Sequence, residues 1–121
     1  MKGVKTLQPI DKESVQAKLE TFFHKDIYVH LETTNGAYAS HINAKAMNVG
    51  AFIRNGKVNV SGGKITGGGP YRVGLQIDLG WIYAEGLTDW EVDDHNRLLL
   101  AGHDSDGRLA VAFQLSEKPF E

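Results

Sequence analysis

Two histidines, His30 and His41, are the residues whose type and spacing best suit chemistry. Between them lies Asn35-Gly36, a pair that predicts a two-residue type I′ turn because both central positions of that turn need positive φ. The resulting hairpin places His30 directly opposite His41 on the same face. Directly opposed side chains have Cβ atoms about 5 Å apart, so we expect the two imidazole rings to be neighbours.

Two neighbouring imidazole rings can hold zinc or another divalent metal, with Glu32 or Asn43 diagonal to them. A catalytic zinc ion usually has three protein ligands, and the sequence implies no third ligand. The alternative is that His30 and His41 belong to a polar outer face or a subunit contact. The sequence therefore offers the pair as a candidate metal site, and it names no catalytic residue and no cofactor-binding residue.

The glycine-rich segment SGGKITGGGPYRVGLQID resembles a phosphate-binding loop at first sight. A Walker loop requires Ser or Thr after its lysine and then a helix. Here Ile65 follows Lys64, and the residues after Pro70 alternate as a strand does. These glycines are therefore predicted to turn the chain and not to bind an anion.

Acidic residues and histidines gather in EVDDHNR and HDSDG. Neither segment has the spacing of a twelve-residue calcium loop. Asp side chains commonly accept hydrogen bonds from main-chain N–H groups in their own turns. Turn formation is thus a sufficient explanation for both segments.

The composition indicates a soluble, cytoplasmic protein with one domain over residues 1–121. The chain has 121 residues, a formal net charge of −2 and no cysteine. Nucleic-acid binders cluster Lys and Arg, and a membrane span needs a long apolar run, so we expect neither kind of partner. The absence of cysteine excludes disulfides and thiolate metal sites.

One helix is predicted in IDKESVQAKLETFF, where Val15, Leu19, Phe22 and Phe23 share a face. Asp11 is its predicted N-cap. We expect the apolar face of this helix to cover a sheet.

The rest of the chain predicts antiparallel strands. Asn55-Gly56 predicts a second hairpin that aligns Ile53 with Val58. A turn ending at Gly107 predicts a last hairpin, whose second strand buries Leu109, Val111, Phe113 and Leu115. The expected fold is α+β or mainly β, with an N-terminal helix on a bent antiparallel sheet or partial β-barrel.

Three consecutive leucines suggest a homodimer. Leu98 and Leu100 lie on one face of their predicted strand, and Leu99 lies on the other. A domain with one helix leaves one of these faces without cover. Large exposed apolar patches are uncommon on monomers, and two-fold dimers are the commonest assembly.

The helix, the segment HINAKAMNVGAFIRNGKVNV and the ending LLLAGHDSDGRLAVAFQLS resemble the YojF-like family of small proteins of bacilli. The resemblance covers the whole chain. It implies a β-rich, dimeric protein of unassigned function, linked by gene neighbourhood to an LmbE-like deacetylase of the bacillithiol pathway. It implies no active-site residue.

Two functions follow as hypotheses. The first is a non-catalytic accessory or ligand-binding homodimer. The second is a small metal-dependent hydrolase or isomerase that uses His30 and His41. Metal content would discriminate between them.

Overall fold

The computed structural model describes residues 7–34 and 50–121. One helix and nine strands lie within these ranges: β1 (Gln8–Pro9), α1 (Lys12–Glu20), β2 (Lys25–Thr34), β3 (Gly50–Val60), β4 (Gly62–Gly67), β5 (Tyr71–Ile77), β6 (Gly80–Leu87), β7 (Asp89–Val92), β8 (Leu98–His103) and β9 (Leu109–Ser116). The predicted Asn35-Gly36 turn and His41 lie outside the described residues.

The described strands form two antiparallel sheets, and within the described residues these sheets do not close into a barrel. The larger sheet has six strands in the order β1-β7-β8-β9-β2-β3, and the smaller has three in the order β4-β5-β6. This arrangement confirms the prediction of a mainly β fold with an N-terminal helix on a sheet. No helix in the described part of the chain has the length and apolar content needed to cross a membrane.

The helix α1 begins after Asp11, which has extended dihedral angles and occupies the N-cap position as predicted. Its side chain accepts a hydrogen bond from the Ser14 hydroxyl and makes no bond to the first-turn N–H groups. Val15 and Leu19 are fully buried, which confirms the predicted apolar face. The helix packs beside β4.

The core lies between the two sheets and beneath the helix. Alternating residues of β2, β8 and β9 point inward, because successive side chains of a strand face opposite sides. Leu98 and Leu100 are among these buried residues. Other parts of the same chain cover them, so this pair does not require a second subunit. Leu99, on the opposite face, is half-buried, and the homodimer stays a prediction.

The predicted hairpin at Asn55-Gly56 is wrong, because both residues lie inside the continuous strand β3. Val29 pairs with Gly56 and Leu31 pairs with Ile53, so two residues of β3 lie opposite one residue of β2. This is a β-bulge. Asn55 has a φ of 58°, a conformation that suits a type I′ turn and a bulge equally well.

The last hairpin joins β8 to β9 through the predicted turn. The Gly107 N–H donates to the Asp104 carbonyl at 2.9 Å, and Gly107 has a φ of 79°. Val111, Phe113 and Leu115 are buried as predicted. Leu109 is 52% exposed, so its predicted burial is wrong; it is the first residue of the strand and lies beyond the edge of the core.

The glycine-rich segment contains β4 and β5, two antiparallel strands. Residues 68–70 connect them. Gly67 and Gly69 have φ values of 98° and 118°, which L side chains rarely adopt. A strand follows and not a helix, as the sequence indicated.

Candidate functional site

His30 lies on the outer face of the six-stranded sheet, the face opposite the core, and is nevertheless only 7% exposed. The bulge of β3 places Arg54 beside it. Nη1 of Arg54 is 3.3 Å from His30 Nδ1, and Oε1 of Glu32 is 3.3 Å from His30 Nε2. A guanidinium group can only donate hydrogen bonds, so Nδ1 accepts from Arg54 and Nε2–H donates to Glu32.

Aromatic side chains cover the ring of His30. Phe52 and Phe120 both meet it edge to face, with centroid separations of 5.4 and 6.1 Å. The guanidinium groups of Arg54 and Arg97 lie 4.9 and 5.4 Å from the centroid of the Phe120 ring. His30 is therefore enclosed by side chains and its two nitrogens already have partners.

The contacts of His30 limit its ability to bind a metal ion together with His41. A histidine binds a metal through the lone pair of a ring nitrogen, so His30 would first have to leave Arg54 or Glu32. Within residues 7–34 and 50–121, no three His, Asp or Glu side chains are grouped to hold a metal ion. Because His41 lies outside these ranges, the pairing of His30 with His41 stays a prediction.

A second histidine, His103, has polar neighbours in Thr88 and Asp89. Its Nδ1 lies 2.9 Å from Oδ2 of Asp89 and 3.4 Å from Oγ1 of Thr88. In a hydrolytic triad the hydroxyl and the carboxylate contact different ring nitrogens. Here both contact the same nitrogen, so the cluster lacks the geometry of a triad.

The acidic segments form turns, as the sequence indicated. Oδ1 of Asp93 accepts the N–H groups of His95 and Arg97, and its Oδ2 accepts from Nε of Arg97 at 2.7 Å. Burial raises the pKa of Asp93, but these hydrogen bonds outweigh the effect and lower the pKa overall. Asp104 caps the second segment by accepting the N–H groups of Asp106 and Arg108.

The exposed side of the three-stranded sheet carries an aromatic stack. The rings of Trp81 and Tyr83 are nearly parallel, with a 6° interplanar angle and centroids 5.7 Å apart. The guanidinium carbon of Arg72 lies 4.0 Å from the Tyr83 centroid, so Tyr83 is held between Arg72 and Trp81. We call this surface the aromatic face.

A glycine in β5 makes the aromatic stack possible. Gly74 pairs with Tyr83 across the strands, and a Cβ at Gly74 would lie 2.7 Å from Tyr83 Cε1. The ring therefore leans over the bare main chain. Trp81 and Tyr83 remain 52% and 46% exposed, so the stack presents apolar surface to solvent.

Sequence reasoning missed the aromatic face. The signal is the alternation of Trp81, Tyr83 and Glu85 with Ile82 and Ala84 in β6. Such alternation indicates a strand with one buried and one exposed face. The aromatic residues fall on the face that should carry polar side chains, which is typical of an interaction surface.

Comparisons with known proteins agree with the fold. The family described as "Protein of unknown function (DUF1806)" matches residues 9–120. The uncharacterized protein YojF of Bacillus subtilis (strain 168) is 56% identical over 114 residues, which are 94% of this chain and 98% of that protein. The crystal structure of Bacillus subtilis YojF matches with a TM-score of 0.81 and 49% identity, covering 97% of this chain and 99% of the other. The chain therefore belongs to the DUF1806 family of proteins of unknown function.

Proposed function

We propose that this protein is a non-catalytic accessory or ligand-binding protein that works as a homodimer. The observation that carries the proposal is the aromatic face, where Trp81 and Tyr83 stand exposed and stacked with Arg72. Aromatic residues and Arg are enriched at the centres of protein interfaces. The aromatic face is the binding surface in this proposal.

The contacts that position Tyr83 in the stack support a binding role. Tyr83 is fixed between the guanidinium of Arg72 and the ring of Trp81, and Gly74 lies beneath it. Side chains that are ordered before binding lose less conformational entropy when a partner arrives. The aromatic face therefore has the residue types of a binding surface, and its side chains already contact one another.

Chemistry at His30 has less support. Both ring nitrogens have side-chain partners, and Phe52 and Phe120 cover the ring. No observation on the described residues favours a metal-dependent hydrolase or isomerase over the binding role. Element analysis of untagged protein after dialysis tests this alternative, because stoichiometric zinc or another divalent metal would favour the enzyme.

The gene neighbourhood that the family resemblance implies gives the accessory role a specific partner to test. An LmbE-like deacetylase of the bacillithiol pathway is the proposed partner. Isothermal titration of the deacetylase with this protein should show saturable binding. The variant Trp81→Ser should bind about 30-fold more weakly, which corresponds to about 2 kcal/mol for loss of an interface tryptophan.

The matched control is Phe52→Ser. Phe52 is also an exposed aromatic residue, but it lies on β3 of the other sheet. This variant should bind the deacetylase as the native protein does. Equal weakening by both variants, or no binding by the native protein, would contradict this partner and this surface.

A further inference from the structure

Among residues 7–34 and 50–121, the two sheets have four edge strands, β1, β3, β4 and β6. Natural proteins protect such edges with short strands, proline, bulges or charged residues, because unpaired main-chain groups invite another strand. β1 has two residues and contains Pro9. β3 contains the bulge at Arg54-Asn55 and carries Lys57.

The edge of β4 is covered by a side chain from α1. Gln16 accepts from the N–H of Ile65 at 2.9 Å and donates to the carbonyl of Gly63 at 3.2 Å. Its amide thus replaces a neighbouring strand. Lys12 adds a bond to the carbonyl of Gly67 at 3.1 Å.

The segment Gly80–Ala84 of β6 has none of these protections. It contains no proline and no charged residue, and it is regular up to the shift in pairing that follows Ala84. Within residues 7–34 and 50–121, no strand pairs with its outer side. In the part of the chain that the structure describes, this segment is therefore an unprotected edge.

The hairpin that joins β5 to β6 determines which main-chain groups face outward. Ile77 pairs with Gly80 across a two-residue turn, and the closing pair of such a hairpin exchanges both hydrogen bonds. Antiparallel pairs alternate between bonded and non-bonded. The N–H and C=O groups of Trp81 and Tyr83 consequently point away from β5.

We propose that the β6 strands of two copies of this protein pair antiparallel at this edge, around a two-fold axis beside Ile82. This inference rests on the homodimer of the proposed function and names its interface. Trp81 of each copy then lies opposite Tyr83 of the other copy. Four hydrogen bonds form, because Trp81 and Tyr83 each supply one N–H and one C=O per copy.

The composition of the edge fits a second copy. Gly80–Ala84 carries no charge, so pairing two identical segments brings no like charges directly opposite, an arrangement that would be unfavourable. Trp81 and Tyr83 are on the same exposed face, and aromatic pairs across strands are favourable. The pairing joins two aromatic faces into one six-stranded surface.

A single cysteine tests the pairing directly, because the native chain has no cysteine. In the proposed register the two Ile82 residues form a non-hydrogen-bonded pair with Cα atoms about 4.5 Å apart, within the range of a disulfide. Mild oxidation of Ile82→Cys should convert most of the chain to a covalent dimer on a non-reducing gel. Leu109→Cys, at an exposed position on β9, is the control. This variant should form little covalent dimer under the same oxidation.

Amide exchange of the native protein gives a second test that needs no substitution. Hydrogen exchange of the main-chain N–H groups of Trp81 and Tyr83 should slow as the protein concentration rises and the monomer converts to the dimer. Exchange of the N–H group of Leu79, in the turn, should not change. A protein that sediments as a dimer, yet shows neither the Ile82→Cys cross-link nor this protection, would refute the β6 interface and leave the homodimer intact. A protein that sediments as a monomer would refute both.

Discussion

The side-chain amide of Asn55 makes two hydrogen bonds with the main chain of Phe120. Its Oδ1 accepts from the Phe120 N–H at 2.6 Å, and its Nδ2 donates to the Phe120 carbonyl at 2.8 Å. The amide thus pairs with the main chain as a neighbouring strand would. This contact holds Phe120 over His30, which is one reason why His30 is buried on the outer face of the six-stranded sheet.

Asn55→Gly should lower the free energy of unfolding by about 2 kcal/mol, because two partly buried hydrogen bonds are lost at about 1 kcal/mol each. Glycine retains access to the positive φ of this position, so backbone strain does not contribute. Asn59→Ala, which removes an exposed bond to Asp26, should change stability by less than about 0.5 kcal/mol. Urea denaturation measures both; equal effects would contradict the role of the Asn55 amide.

Gly102→Ala should be strongly destabilising. An added Cβ would overlap the carbonyl oxygen of Gly86 and lie 2.5 Å from Cγ1 of Val111, so the main chain of β6 would have to move. The expected loss is about 3 kcal/mol, at the upper end of overpacking. Gly68→Ala is the control, because its Cβ meets nothing within 4 Å. Similar thermal unfolding of the two variants would argue against the close approach of Gly102 to the carbonyl of Gly86.

Asp93→Asn should make stability less dependent on pH. The native carboxyl has a lowered pKa because the N–H groups of His95 and Arg97 and the Arg97 side chain stabilise its charged form. A lowered native pKa contributes stability above the ordinary value of about 3.9, and this contribution is lost as the pH falls through the native pKa. The native protein should therefore exceed the variant in stability at pH 7, and the difference should close below about pH 4. Urea denaturation at several pH values measures the free energy of unfolding of both proteins. A difference between them that does not change with pH would exclude the lowered pKa of Asp93 as its cause.

Gln16→Leu should destabilise the attachment of the helix to β4. The substitution keeps the size of the side chain but leaves the N–H of Ile65 and the carbonyl of Gly63 without their partner. An unsatisfied, partly buried main-chain group costs about 1–3 kcal/mol. Gln76→Leu, at an exposed position of β5 with no side-chain bond among the described residues, should be near neutral in the same denaturation assay.

Local patterns predicted the elements better than their pairing. Asp11 and the spacing of Val15 and Leu19 predicted the start and the buried face of α1, because caps and helical periodicity are local properties. Asn55-Gly56 misled, because positive φ at Asn55 suits both a hairpin turn and a bulge. Only the pairing with β2, which depends on distant residues, decides between them.

The surroundings of His30 could be predicted only in part. The alternation of β2 placed His30 opposite the core face, where a polar site is expected. Phe120 belongs to a segment without periodicity, and its position depends on Asn55 and Arg54, some 65 residues earlier in the chain. The aromatic face had a visible signal in Trp81 and Tyr83, but its significance depends on the glycine opposite, which the register alone reveals.

Sedimentation velocity of the untagged protein at micromolar concentration tests the central claim, that this chain acts as a homodimeric binding protein, most directly. The account predicts a species with twice the chain mass of 13.3 kDa that dissociates on dilution, because the interface is small. The same species should persist in Phe52→Ser, whose substitution lies on the other sheet. A strict monomer throughout this concentration range would contradict the account.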